Sequence, residues 1–303
     1  MMAQQTLDHL YELRLTGMAE ALEEQMRMSD IGSLDFEERF ALLLEREVTV
    51  RDDRRLTRLL RTAKLSLQAA VEDIDFRAPR GLERSVVLRL AGCQWIHETD
   101  NVLISGATGT GKSYLACALG HSACRHGLTV RYYRFSRLLG ELALARADGS
   151  YARFLARLAK TQLLVLDDFG LAPLTDTERR DLLEILEDRY AKRATLITSQ
   201  LPFDHWHAVV SDATFADAIL DRLVHNAHKI TLKGGTMRRK KTPAASYLRP
   251  ASLRSDKWTE WTGPGGRFAP DWMDDITGIR TRLGRTVTTA SMAYLGAAHD
   301  MPR

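Results

Sequence analysis

The sequence predicts an α/β protein with a parallel five-stranded sheet, preceded by a small helical region. Three observations carry this. From Asn101 onward, short apolar runs alternate with segments of helical period, the pattern of a sheet covered on both faces. Before about residue 95 the chain is helical in pattern and almost free of glycine and proline. Between the first apolar run and the next helical segment stands Gly106-Ala107-Thr108-Gly109-Thr110-Gly111-Lys112-Ser113.

In chain order, Leu7, Leu10, Leu13 and Leu15 begin one amphipathic segment that is expected to run to about Met28. Asp35 and Phe36 open another, whose first turn is acidic and suits a helix N-terminus. Within Arg51 to Lys64, at about 100° per residue, Arg51, Arg54, Arg55, Arg58 and Arg61 share one face. Leu56, Leu59, Leu60 and Ala63 share the neighbouring flank. One side could pack on the protein while the other tracks a phosphate backbone; a solvated face supported by Asp52 and Asp53 is the plainer alternative. Strands are expected near 101–105, 128–133, 162–167, 194–199 and 228–233, with helices between them.

The glycine segment fits G-x-x-x-x-G-K-[ST], and each fixed position has a task. Gly106 and Gly111 allow turns that a Cβ would obstruct, so the loop amides can face a phosphate chain. Lys112 supplies a charge for the β- and γ-phosphates, and the Ser113 hydroxyl can ligate Mg²⁺. A strand before it (Asn101 to Ser105) and a helix after it (Ser113 to Cys124, with Tyr114 at its start as a further nucleotide-binding candidate) complete a P-loop for ATP.

Further chemistry sits at the ends of later strands. Asp167 closes an apolar run, as a carboxylate that completes the Mg²⁺ shell should. Asp168 follows where a general base would orient the attacking water, although it could instead cap a turn or pair with an arginine. Ala194 to Gln200 would lie between the P-loop strand and the Asp167 strand, which offers Thr198 or Ser199 to the γ-phosphate or the water. Arg222, on a helix before the last strand, could reach a neighbouring subunit's nucleotide or pair locally with Asp217 or Asp221. Arg238 lies past the last strand and could contact nucleotide within the same chain.

Arg131-Tyr-Tyr-Arg134-Phe-Ser-Arg137 interleaves cations with aromatics, and 131 to 160 carries seven basic residues against Glu141 and Asp148. That is a second candidate surface for DNA, with some aromatics reserved for the core. Net charge is only +4, so it is the clustering of the basic residues that points to an anionic polymer.

At 303 residues with 45% apolar content, the chain can build a large core. No apolar run approaches the roughly 20 residues of a membrane span, and the N-terminus lacks a secretory pattern, so a cytoplasmic location is expected. Cys93, Cys117 and Cys124 do not form a metal-ligand spacing and are read as packing residues. Beyond about residue 250 periodicity fades among glycines and prolines, and that stretch is expected to lie outside the core.

Taken together, these stretches resemble the IstB-like ATP-binding proteins, AAA+ relatives of the DnaC helicase loaders. The likeness is carried by Asn101 to Ser113, Leu163 to Gly170, Thr195 to Leu201, Ile219 to Asn226 and Gly234 to Arg239, and covers residues 5 to 242. It implies an AAA+ ATPase that uses ATP and Mg²⁺, assembles with copies of itself on double-stranded DNA and engages the transposase of an insertion sequence. By position it implies nucleotide binding at Gly106 to Ser113, Mg²⁺ and water at Asp167 and Asp168, a sensor at Ser199 and an arginine finger at Arg222. The expected organisation is a helical DNA- or partner-binding domain at 1–70, an ATPase domain at 71–245 and an atypical tail at 246–303. A DnaC-type helicase loader is the nearest rival. A metabolite kinase and a scaffold with structural nucleotide are more distant ones.

Overall fold

The computed structural model of the chain describes residues 2–237. Arg238 and the tail expected at 246–303 lie outside the described residues.

The N-terminal region is helical, but its first segment is two helices rather than one. Helix α1 spans Met2–Glu12 and α2 spans Thr16–Arg27. The break falls at Arg14, whose φ of 60° is left-handed, and it leaves Leu13 68% exposed. A distant carboxylate fixes this break. Glu47 accepts from the amides of Gly17 (2.7 Å) and Met18 (3.2 Å), which would otherwise be unsatisfied donors in the first turn of α2. Burial pushes the Glu47 carboxyl up. Bonds from Arg51 and from those two amides outweigh that push and hold it below the usual range.

Helix α3, Phe36–Ala63, carries Glu47 and begins with a reciprocal cap between Asp35 and Glu38. Its first half packs Leu43 with Met18 and Ala21 in a small cluster of their own. Its second half packs Leu59 and Ala63 into the main core, with Leu56 and Leu60 beside them, as the apolar flank predicted.

After a one-turn 3-10 segment at Val71–Asp73 come helices α4 (Arg84–Ala91) and α5 (Gln94–His97). The chain then alternates β1 (Asn101–Gly106), α6 (Lys112–Arg125), β2 (Val130–Arg134), α7 (Phe135–Ala147) and α8 (Tyr151–Lys160). It continues through β3 (Leu163–Phe169), α9 (Asp176–Arg189), β4 (Ala194–Ser199), α10 (Trp206–Val210), α11 (Ala213–Val224) and β5 (Ala227–Leu232). All five strands pair in parallel in the order β2-β3-β4-β1-β5, so β4 lies between the P-loop strand and the Asp167 strand.

Both faces of the sheet are buried, which explains why its central strands read as unbroken apolar runs. Alternation along β1 shows it: Val102 and Ile104 join the core under α6, while Leu103 joins the core under α7 to α11. Tyr132, Tyr133 and Phe135 are all buried, so the aromatics of the Arg131–Arg137 segment are core residues. Cys93, Cys117 and Cys124 are buried free thiols. No described helix is long and apolar enough to cross a membrane.

Candidate nucleotide site

The carboxyl ends of β1, β3 and β4 converge on one cavity, the position at which open parallel sheets bind ligands. Gly106 ends β1 so close to β5 that an added Cβ would stand 2.3 Å from the Leu232 carbonyl oxygen. Gly111, at φ 97°, starts α6 in a conformation that L side chains avoid. Lys112, the first residue of α6 and only 6% exposed, donates from Nζ to the carbonyls of Gly106 (2.8 Å) and Ala107 (2.9 Å). Burial lowers the pKa of its ammonium, against the pull of Asp168 and Asp167. Thr110 closes the loop onto the Ala107 carbonyl, and Thr108 donates to Gln200 Oε1 at 2.6 Å. Tyr114 lines the same cavity from the first turn of α6.

Asp167 is 2% exposed and surrounded by donors. Ser113 Oγ donates to Oδ1 at 2.9 Å, Tyr132 Oη donates to Oδ2 at 2.6 Å, and Thr198 Oγ1 donates to Oδ1. Burial first, and then the bond to Asp167, pushes the Tyr132 phenol well above its ordinary value. The pairing of Ser113 with Asp167 suits Mg²⁺. One hydroxyl and one carboxylate stand side by side, and no group of three or more His, Cys, Asp or Glu that could cage a metal occurs among the described residues. Mg²⁺ prefers few protein ligands completed by phosphate oxygens and water.

Asp168 departs from regular strand geometry. Its φ is 62°, and the β3–β4 register shifts between Leu166 and Phe169. Such a bulge re-aims a side chain at about 1 kcal/mol or more of local strain. The Asp168 amide donates to Thr198 Oγ1 at 3.1 Å, and the carboxylate turns into the cavity. There it accepts from Arg134 Nη2 at 3.1 Å.

Arg134 therefore stands in the nucleotide cavity, apart from exposed Arg137. Arg131 is half-buried on β2. Ser199 is fully buried, donates to the Phe169 carbonyl at 2.8 Å and accepts from the Leu201 amide. Of Thr198 and Ser199 it is Thr198 that touches Asp167, and Gln200 is the residue of this strand end that lines the cavity. Arg222 belongs to the opposite end of the sheet: its carbonyl accepts from Asn101 Nδ2 at the start of β1, and its guanidinium binds Glu187 at 2.9 Å. That partner is neither Asp217 nor Asp221. Six residues of β1 separate Arg222 from this chain's P-loop, about 17 Å at strand rise.

On α3, Arg51 is tied to Glu47 and Arg55 reaches the Gly127 carbonyl at 3.2 Å. Arg54, Arg58 and Arg61 are exposed and make no bond to another described residue.

The family model of the IstB-like ATP binding protein matches residues 8–245. This chain belongs to the IstB-like ATP-binding family. With that membership and the P-loop geometry above, it is a P-loop ATPase whose five parallel strands run in the order β2-β3-β4-β1-β5. Its relatives include a protein of Sinorhizobium fredii strain NGR234 named as an insertion sequence ATP-binding protein, 54% identical over 79% of this chain and 98% of that one. A Pseudomonas fluorescens protein named for insertion sequence IS1162 is 50% identical over 67% of this chain and 88% of that one. A Mycobacterium tuberculosis protein named as an ATP-binding protein in an insertion sequence is 34% identical over 77% and 94%. Among solved structures, DnaI gives a TM-score of 0.49 at 20% identity, covering 55% of this chain and 91% of that one. The DnaC helicase loader gives 0.47 at 20%, covering 56% and 100%. Likeness of that size carries no functional argument.

Proposed function

We propose that this chain is the ATP-dependent helper of an insertion-sequence transposase, assembling on double-stranded DNA and engaging that transposase. The observation that carries the reading is the 54% identity, across 98% of the relative, to a protein named for an insertion sequence. The described site supplies the matching chemistry.

The P-loop amides and Lys112 hold the phosphates, with Ser113 and Asp167 as the Mg²⁺ ligands. Those two residues would hold Mg²⁺, which would supply charge neutralisation at the phosphates. Asp168 orients the attacking water and accepts its proton, and Thr198 fixes both aspartates. Arg222 is too far from its own P-loop to act there, so it serves as a finger for a neighbouring copy's nucleotide once released from Glu187. The α3 arginines contact DNA phosphates without reading sequence, and residues 1–70 form the DNA- and partner-binding part.

The test is a strand-transfer reaction with the cognate insertion-sequence transposase, duplex target and ATP. Transfer should require this protein and ATP, and fail with Lys112→Ala. Stimulation of a replicative helicase with no effect on the transposase would assign the chain to the loaders instead.

A further inference from the structure

The cavity at the P-loop contains a second buried cation that the motif does not include. Arg80 lies in the turn before α4 and is 7% exposed. Its Nη1 donates to the Thr110 carbonyl inside the P-loop at 3.2 Å, and its Nη2 donates to the Asp75 carbonyl at 2.9 Å. The guanidinium lies so close to Gly111 that a Cβ there would meet Nη1 at 2.7 Å. Its backbone is fixed as well, since the Arg80 carbonyl accepts from the Lys233 amide at 2.9 Å just past β5. One side chain thus ties the P-loop to the turn before α4, which β5 in turn anchors.

Two features of Arg80 are unexplained by packing. Its Nε is buried without a hydrogen-bond partner, and no carboxylate forms an ion pair with it among the described residues. Burial lowers the pKa of its guanidinium, opposed by the charge of Asp75. The Asp75 carboxylate acts on it only through space, and a buried cation that no carboxylate bonds is costly unless an anion joins it. The cavity it lines is the one that receives a nucleotide polyphosphate.

We propose that Arg80 is a positioning residue for the nucleotide. It holds the Thr110–Gly111 turn so that the loop amides face the phosphates, and the bound polyphosphate supplies the anionic partner that no described carboxylate bonds to it. The inference rests on the ATP-binding reading of this site. Because it acts on the loop's shape and not on the reacting γ-phosphate, Arg80 matters equally to ADP and ATP.

The experiment measures affinity for fluorescent ADP and ATP analogues and steady-state turnover in wild type, Arg80→Ala, Arg80→Lys and Lys112→Ala. In Arg80→Ala, Kd for both nucleotides and KM for ATP should rise about tenfold or more, while kcat stays within about twofold. Arg80→Lys keeps the charge but, lacking the planar fork, cannot bridge both carbonyls, so its Kd should rise by about three- to tenfold. If Arg80→Ala does not fold, Arg80→Lys alone decides. Unchanged affinity with only a lower Tm makes Arg80 a packing residue, and a loss confined to ATP or to kcat makes it part of the chemistry; either overturns the proposal. Failure of the wild type to bind nucleotide would overturn the ATP-binding reading itself.

Discussion

The carboxyl edge of the sheet and the α3 face both present charged side chains, but they hold them in opposite ways. At the sheet edge almost every polar group has a fixed partner. Asp167 takes three side-chain donors, Lys112 donates to two carbonyls, and Asp168 is bound through both its amide and its carboxylate. On α3, Arg54, Arg58 and Arg61 stand in solvent with no bond to another described residue. A buried, bonded charge is already oriented and desolvated, so small changes there carry large consequences. An exposed arginine contributes mainly through long-range attraction that salt screens.

That contrast can be broken most sharply at Asp168. Asp168→Asn keeps the shape but removes the base, so kcat should fall by about 10² to 10⁴ while ATP affinity changes little. Turnover at the wild-type rate would remove Asp168 from the chemistry. Lys112→Ala should weaken ATP binding by on the order of a hundredfold, the scale of removing a charge-assisted hydrogen bond from a buried site. Titration calorimetry showing equal affinities would contradict that role.

The α3 face should respond differently. Neutralising Arg54, Arg58 and Arg61 together should weaken binding to all DNA sequences alike. It should also reduce the log–log salt slope by roughly 0.9 for each DNA phosphate that the protein no longer neutralises. Nucleotide affinity without DNA should not move, because these residues lie outside the cavity. An unaltered salt slope would show a merely solvated face.

Within α3 itself, Glu47 is a buried, bonded carboxylate in an otherwise exposed stretch. Glu47→Gln should destabilise the α1–α2 region by about 1–3 kcal/mol, read as faster amide exchange at Gly17 and Met18. Its folded-state pKa is depressed, so its contribution is complete above the unfolded value and is lost as pH falls through the folded one. Acid should therefore melt this region in wild type below the usual glutamate range, and the Gln variant should lose that pH dependence.

Much of the fold was legible in the sequence because its determinants are local. Every predicted strand lies within about two residues of an observed one, since a doubly buried strand must be apolar along its length. The acidic first turn at Asp35 and Phe36 marks the start of α3, where the structure adds a reciprocal cap. The break at Arg14 was not legible, because Glu47, thirty residues beyond Gly17, decides it.

By itself the sequence determined the P-loop, the strand that ends in Asp167 and the covered parallel sheet, each written in adjacent residues. Tertiary structure decided which neighbour of a pair does the work. Side chains alternate along a strand, so whether Thr198 or Ser199 meets Asp167 depends on the β3–β4 register and the bulge at Asp168. Contacts between distant segments brought Gln200, Arg134 and Arg80 to the nucleotide cavity. They also placed Arg222 at the far end of β1 beside Glu187. A motif fixes the chemistry of a few adjacent residues, and only the packed sheet sets which remote side chains complete it.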